Sequence, residues 1–311
     1  MKVLVTCPPM LGMKEQFLPL FEEYGVEAVC ADVIQTLSEE ELIRELPKYD
    51  GWIIGDDPAT RRVFEAGKSG NLKAAVKWGI GVDNVDFEAC NDLGIPISNT
   101  PDMFGGEVAD IGVGYLLSLA RETYFIDREV RKGNWPKNRG VSLSGKTVGL
   151  IGYGDIGRSA AKRLVPFGLD IIAFDPGKSV IEDEGVTLCQ WPERINECDF
   201  LLFTCSLNKH NVHMLNETVL SDCKHGVRVV NVARGPLIDE EALCSALKSG
   251  KVHSAGLDVF EVEPLPKDSY LRQHPLCIFG SHNASNTSDA VAKTNKVAID
   301  KLMSFFGKEK I

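Results

Sequence analysis

The sequence has no apolar run near the roughly twenty residues a helix needs to cross a bilayer, which argues against a helical membrane protein. Its opening, Met1 to Thr6, carries one lysine and an apolar stretch too short for a secretory signal, so a cytoplasmic location is expected. Long basic runs are missing too: 34 Lys and Arg stand against 44 Asp and Glu, for a net charge of -10. That balance speaks against a nucleic-acid footprint and for small-molecule partners. Nine cysteines (Cys7, Cys30, Cys90, Cys189, Cys198, Cys205, Cys223, Cys244 and Cys277) form no CxxC pair, and an odd count fits reduced, mostly buried thiols better than a disulfide framework. His210 and His213 share a segment without a cysteine or carboxylate cluster beside them, so they read as surface or loop histidines, and no metal is expected.

What is present describes an ordinary soluble protein, 44% hydrophobic and 25% charged, whose 311 residues suit two domains of roughly 150 residues each. Short apolar strands at 3–5, 28–30, 52–54, 74–77 and 97–98 alternate with helical stretches near 14–23, 39–46 and 61–66. The rhythm resumes with strands at 200–203, 227–230, 255–259 and 277–279 and a helix at 240–248. Such alternation implies two parallel sheets, each covered on both faces.

The most informative stretch lies mid-chain. Thr147 to Ile151 reads as a buried strand, and Gly152-Tyr153-Gly154-Asp155-Ile156-Gly157 follows at once. A helix over 158–167 and a second strand closing on Asp175 complete a βαβ half-site for a dinucleotide. The first glycine permits a tight turn, the second lets backbone approach a pyrophosphate, and the third lets helix and strand pack, while the helix N-terminus offers unpaired N–H groups to the anion. A carboxylate about twenty residues beyond the glycines accepts hydrogen bonds from a ribose 2′-hydroxyl and repels a 2′-phosphate, so NAD is favoured over NADP.

A helical span from Phe104 to Glu122, continued by Ile126 to Lys132, separates the two sheets, and the last helix, 288–306, is expected to run back to the first domain. The fold expected is therefore α/β, with two Rossmann-like or flavodoxin-like parallel-sheet domains. A nucleotide-binding domain (100–285) is inserted into a substrate domain (1–99 plus 286–311), leaving a cleft between them for a ligand.

Three residues past the glycines stand at strand ends, where open α/β sheets bind ligands. Arg234 follows an apolar strand within Asn231-Val232-Ala233-Arg234-Gly235, and an arginine there can grip a carboxylate with two parallel hydrogen bonds. Glu263 precedes Pro264, and His282 sits in Gly280-Ser281-His282-Asn283-Ala284. Beside a nicotinamide site, an arginine, an acid and a histidine describe hydride transfer to a carboxylated carbonyl substrate.

At these residues the chain resembles the D-isomer-specific 2-hydroxyacid dehydrogenases, and within them the D-3-phosphoglycerate dehydrogenase-like branch. The matching segments are Trp78-Gly79-Ile80-Gly81-Val82-Asp83-Asn84-Val85-Asp86, Asn99-Thr100-Pro101, the glycine motif, Val232 to Asp239 and Gly256 to Phe260. The resemblance implies an NAD-dependent oxidoreductase acting on the CH–OH group of a small D-2-hydroxy acid, with 3-phosphoglycerate, glycerate or hydroxypyruvate, and glyoxylate as candidate substrates. Arg234 would hold the substrate carboxylate, His282 would act as general acid or base, and Glu263 would orient the imidazole and favour its charged form. Backbone N–H groups of Ile80 and Gly81 would complete the carboxylate site. Cofactor contacts are implied at Gly152, Tyr153, Gly154, Asp155, Ile156, Gly157, Asp175, Thr204, Cys205, Ser206, Asn211, Val232, Ala233, Arg234, Asp258, His282 and Ala284. A homodimer built on helices near 104–143, whose loop carries Trp135, is implied as well.

The chain departs from the family in three places. Thr204 and Ser206 stand where a histidine and a proline are common, and Ser281-His282-Asn283-Ala284 replaces a Pro-His-(Ile/Val)-Gly run. Gly55-Asp56-Asp57-Pro58 occupies the position of an Arg-Ser pair, so a substrate phosphate would meet anions unless Arg61, Arg62 or Lys77 turn inward. No C-terminal regulatory module is expected. A binding protein remains the alternative, because the same arginine, acid and histidine occur in NAD(H)-sensing corepressors of this fold.

Overall fold

Val3, Leu4 and Val5 carry no polar residue on either face, the pattern of a strand covered on both sides. In the computed structural model, which describes residues 1–310, all three are buried in the central part of a parallel sheet. The backbone separates into two compact units, one of Met1–Met103 with Asn286–Ile311 and one of Phe104–Ser285.

The first unit holds strands β1 (Lys2–Val5), β2 (Glu27–Cys30), β3 (Gly51–Ile54), β4 (Ala74–Lys77) and β5 (Ile97–Asn99), all parallel in the order β2-β1-β3-β4-β5. Ser38 and Glu41 form a capping box before the helix Glu39–Glu45, and Thr60 caps Arg61–Ser69. Trp52, Phe64, Leu42 and Leu46 fill the core between them. The helix Ser288–Phe305, capped by Thr287, belongs to this unit. Three polar contacts attach it: Trp78 Nε1 donates to Asn295 Oδ1 at 2.8 Å, Tyr24 Oη to Asp300 at 2.9 Å, and Lys301 Nζ to the Asn99 carbonyl at 2.7 Å.

The second unit holds β6 (Thr147–Ile151), β7 (Asp170–Phe174), β8 (Val186–Cys189), β9 (Phe200–Phe203), β10 (Val227–Asn231), β11 (Val252–Leu257) and β12 (Cys277–Phe279). All are parallel, in the order β12-β11-β10-β9-β6-β7-β8, so strand order reverses between β6 and β9. Phe174, Trp191 and Phe203 pack edge to face within its core. The edge strand β8 was not expected, since its half-exposed residues lack an apolar run.

The helical span ahead of β6 is two helices, Gly105–Arg121 and Thr123–Arg131, rather than one continuing pattern. Glu122 breaks it in a left-handed conformation with φ 54°, an arrangement that L-residues adopt at a cost. The compensation is tertiary: its buried carboxylate accepts from Asn138 Nδ2 and lies 3.5 Å from His253 Nε2.

Candidate active site

The three glycines after β6 differ in what surrounds them. Gly152 has φ 97°, and a Cβ there would lie 2.7 Å from the Cys205 backbone, so only glycine fits the turn. A Cβ on Gly157 would stand 2.2 Å from the Gly152 carbonyl oxygen, which lets helix and strand close on each other. Around Gly154 nothing lies within 4 Å of that position, an open cradle for a bulky anion. The helix Asp155–Leu164 begins three residues earlier than its apolar spacing indicated, at Gly154, and no side chain caps it. Its first N–H groups, those of Asp155 and Ile156 among them, are therefore left for an anion at the positive end of the helix dipole.

Asp175 directly follows the second strand, β7, beside this cradle. Its Oδ2 accepts from the Tyr153 N–H at 2.7 Å and its Oδ1 from the Gly177 N–H at 2.8 Å, which fixes both oxygens while each keeps a lone pair for a ribose hydroxyl. Across the strand reversal, Thr204 Oγ1 reaches the carbonyls of Ile151 and Gly152 at 3.1 and 2.9 Å and ties β9 to the glycine turn. Cys205 lines the same wall, and burial pushes its thiol up to about 12, so it stands there as an unreactive apolar group. Asn211 Nδ2 donates to the Ser206 carbonyl at 2.8 Å, closing that loop. The open cradle, the uncapped helix and the acid after the second strand fit NAD.

Arg234, Glu263 and His282 emerge from neighbouring strands β10, β11 and β12. His282 Nδ1 donates to Glu263 Oε2 at 2.8 Å, and Glu263 Oε1 accepts from the Phe260 N–H at 2.9 Å, so the carboxylate is held at both oxygens. A carboxylate only accepts, which assigns the Nδ1 proton and leaves Nε2 as the other ring nitrogen. His282 takes a left-handed conformation, φ 56°, with its N–H donating to the Asp258 carbonyl at 2.7 Å. The Asp258 carboxylate accepts from the N–H groups of Asn283 and Ala284 at 3.2 and 2.8 Å, and burial holds its carboxyl above the usual range. Asp258 thus shapes the turn that carries His282.

Arg234 is half-buried and follows Asn231, which sequence reasoning passed over. Asn231 Oδ1 accepts from the Ala233 N–H at 3.0 Å and its Nδ2 donates to the Arg234 carbonyl at 2.8 Å. An Asn directly after an apolar strand and before a turn was the available signal. The guanidinium Nη1 donates to the Ala233 carbonyl at 2.8 Å. Val232 and Ala233 are buried beneath it. Ile80 and Gly81 belong to the first unit, just past β4, where Gly79 N–H donates to Thr100 Oγ1 at 2.8 Å and Asn99 Nδ2 to the Ile80 carbonyl at 3.1 Å. Among the described residues no cluster of histidine, cysteine and carboxylates could hold a metal.

Comparison with known proteins shows the family. Residues 113–284 match the model of the D-isomer specific 2-hydroxyacid dehydrogenase, NAD binding domain. The chain belongs to the D-isomer specific 2-hydroxyacid dehydrogenase family. Hydroxypyruvate reductase of Thermotoga maritima is 36% identical over 277 residues, covering 87% of this chain and 89% of that protein. D-3-phosphoglycerate dehydrogenase of Methanocaldococcus jannaschii is 35% identical over 310 residues, 97% of this chain but 56% of that longer protein. A glyoxylate reductase structure from Paecilomyes thermophila superposes with TM-score 0.84 at 28% identity, covering 100% of this chain and 96% of that one. The protein is thus an NAD-dependent oxidoreductase of the 2-hydroxyacid dehydrogenase class, with the two-sheet α/β fold of its relatives.

Proposed function

We propose that this dehydrogenase reduces a small, unphosphorylated 2-oxo acid to the D-2-hydroxy acid, with Arg234, Glu263 and His282 as its working residues. The observation that carries the reading is the 2.8 Å bond from His282 Nδ1 to Glu263, which aims Nε2 away from the carboxylate as the proton donor. NADH, when bound, supplies the hydride that adds to C2. His282 Nε2 gives its proton to the carbonyl oxygen, which becomes the hydroxyl, and in the reverse direction takes it back. Arg234 grips the substrate carboxylate, aided by the N–H groups of Ile80 and Gly81. Residues 1–99 with 286–311 form the substrate domain in this reading, and 100–285 the NAD domain.

Charge at the ends of β3 and β4 supports the uncharged far end of the substrate. Asp57 is buried and accepts from the Thr6 hydroxyl and from the N–H groups of Gly55 and Leu37 at 3.0 and 2.9 Å, so the chain's own carboxylate takes these donors. Lys77, only 3% exposed, pairs with Asp56 at 3.2 Å. Arg61 pairs with Asp92, and Arg62 with Glu39 and Glu40. The cations that a phosphate would need are engaged elsewhere, whereas a hydroxymethyl or hydrogen, as in hydroxypyruvate or glyoxylate, meets no repulsion.

A homodimer through residues 104–143 is part of the proposal, supported by Trp135 at 75% exposure and the exposed Val130. A cytoplasmic setting is supported by nine unbridged cysteines. No helix among the described residues is long and apolar enough to cross a membrane. The test is NADH oxidation by purified protein with hydroxypyruvate, glyoxylate, pyruvate, 2-oxoglutarate and 3-phosphohydroxypyruvate. Turnover of the first two well above the phosphorylated acid is expected. Bound NADH with no oxidation across the panel would favour the cofactor-sensing alternative.

A further inference from the structure

His213 was expected to be an idle loop histidine, yet it joins two loops of the second unit. Its Nε2 donates to Glu261 Oε1 at 2.7 Å, and its backbone N–H donates to the Pro236 carbonyl at 2.8 Å. Glu261 lies two residues before Glu263, and Pro236 two residues after Arg234. A reciprocal pair of bonds anchors Glu261 further: its N–H donates to Glu240 Oε1 at 2.6 Å, and its Oε1 accepts from the Glu240 N–H at 3.2 Å, at the start of the helix Glu240–Ser249. Between these anchors the two loops touch directly, since a Cβ on Gly235 would fall 1.9 Å from the carbonyl of Phe260.

We infer that His213 is a positioning residue: through Glu261 and Pro236 it holds the turn carrying Arg234 and the loop carrying Glu263 in one register. The inference rests on the roles proposed for Arg234, Glu263 and His282. Two carboxylates, Glu240 and Glu261, meet at this point, and the imidazole of His213 bonds the one nearer to Glu263. Without it the Phe260–Glu263 segment keeps a bond to a carboxylate that burial and the neighbouring Glu261 and Glu263 charges push toward its neutral form. Loosening that segment moves Glu263 away from His282.

The test follows the His282 ring by NMR titration in the full-length protein, with kinetics and NADH affinity measured beside it. Glu263 and Asp258 are among the charged groups acting on His282, and Glu261, itself bonded to Glu240, is the carboxylate bonded to His213. His213→Ala is expected to move the His282 midpoint down, because a displaced Glu263 no longer favours the imidazolium. It is also expected to lower kcat roughly tenfold, the scale of a small misplacement, with NADH affinity within about twofold. His213→Gln, whose amide N–H reaches a similar position, restores both. His213 has φ 53°, and both replacements share that backbone, so their difference reports the side chain alone. An unmoved midpoint and unchanged kcat in a folded His213→Ala protein would overturn the inference, as would a His213→Gln protein equally impaired. Should His213→Ala fail to fold, His213→Phe, which fills the same space but has no ring N–H to donate to Glu261, is expected to move the His282 midpoint in the same direction, and an unmoved midpoint there overturns the inference. If the unsubstituted protein turns over no 2-oxo acid, it is the proposed reaction that fails, and the titration alone then decides the role of His213.

Discussion

His282 Nδ1 donates to Glu263 Oε2 at 2.8 Å, while the other oxygen of Glu263 is held by the Phe260 N–H. One nitrogen of the imidazole is thereby committed to the protein. Replacing Glu263 by Gln keeps the shape but removes the charge that favours the imidazolium. In the reductive direction activity needs the protonated ring and falls as pH rises. The alkaline limb of kcat for Glu263→Gln is therefore expected at lower pH than in the unsubstituted enzyme, with kcat at neutral pH down roughly tenfold or more. A limb that stays in place would separate Glu263 from the titrating group.

Asp175 makes a separate claim about the cofactor. Its oxygens are fixed by Tyr153 and Gly177 where a 2′-phosphate would be repelled and a 2′-hydroxyl received. Asp175→Ala is expected to narrow the ratio of kcat/KM for NADH over NADPH, roughly tenfold or more, chiefly through the KM for NADPH. Equal use of both cofactors by the unsubstituted enzyme would contradict the reading.

The glycines separate cofactor binding from folding. Gly154→Ala adds a methyl into open space at φ -79°, so thermal stability should stay near that of the parent while NADH binding weakens. Gly157→Ala drives a methyl to 2.2 Å from the Gly152 carbonyl and is expected to lower stability by about 1–3 kcal/mol or more. Thermal unfolding and NADH fluorescence titration on the pair distinguish the two effects.

Much of this was legible in the sequence because its signals are local. The run from Thr147 to Asp175 contains a whole supersecondary unit, and both sheets announced themselves through short β-branched strands. Arg234, Glu263 and His282 were legible as residues at strand ends, and the bond from His282 to Glu263 joins the loops after two different strands. What stayed hidden is tertiary. The break at Glu122 depends on Asn138 and His253, the contact of His213 with Glu261 spans distant loops, and the exposed pattern of β8 makes sense only once β7 lies beside it. The helix at Asp155 begins before its apolar periodicity does, because its first turn faces the cofactor cradle instead of the core.

The most direct measurement mixes hydroxypyruvate with NADH-loaded enzyme, unsubstituted and His282→Ala, and follows loss of NADH. The account predicts turnover in the first and a loss of roughly a hundredfold or more in the second, the usual worth of a general acid, with NADH bound equally by both. Equal turnover by the two proteins would contradict it.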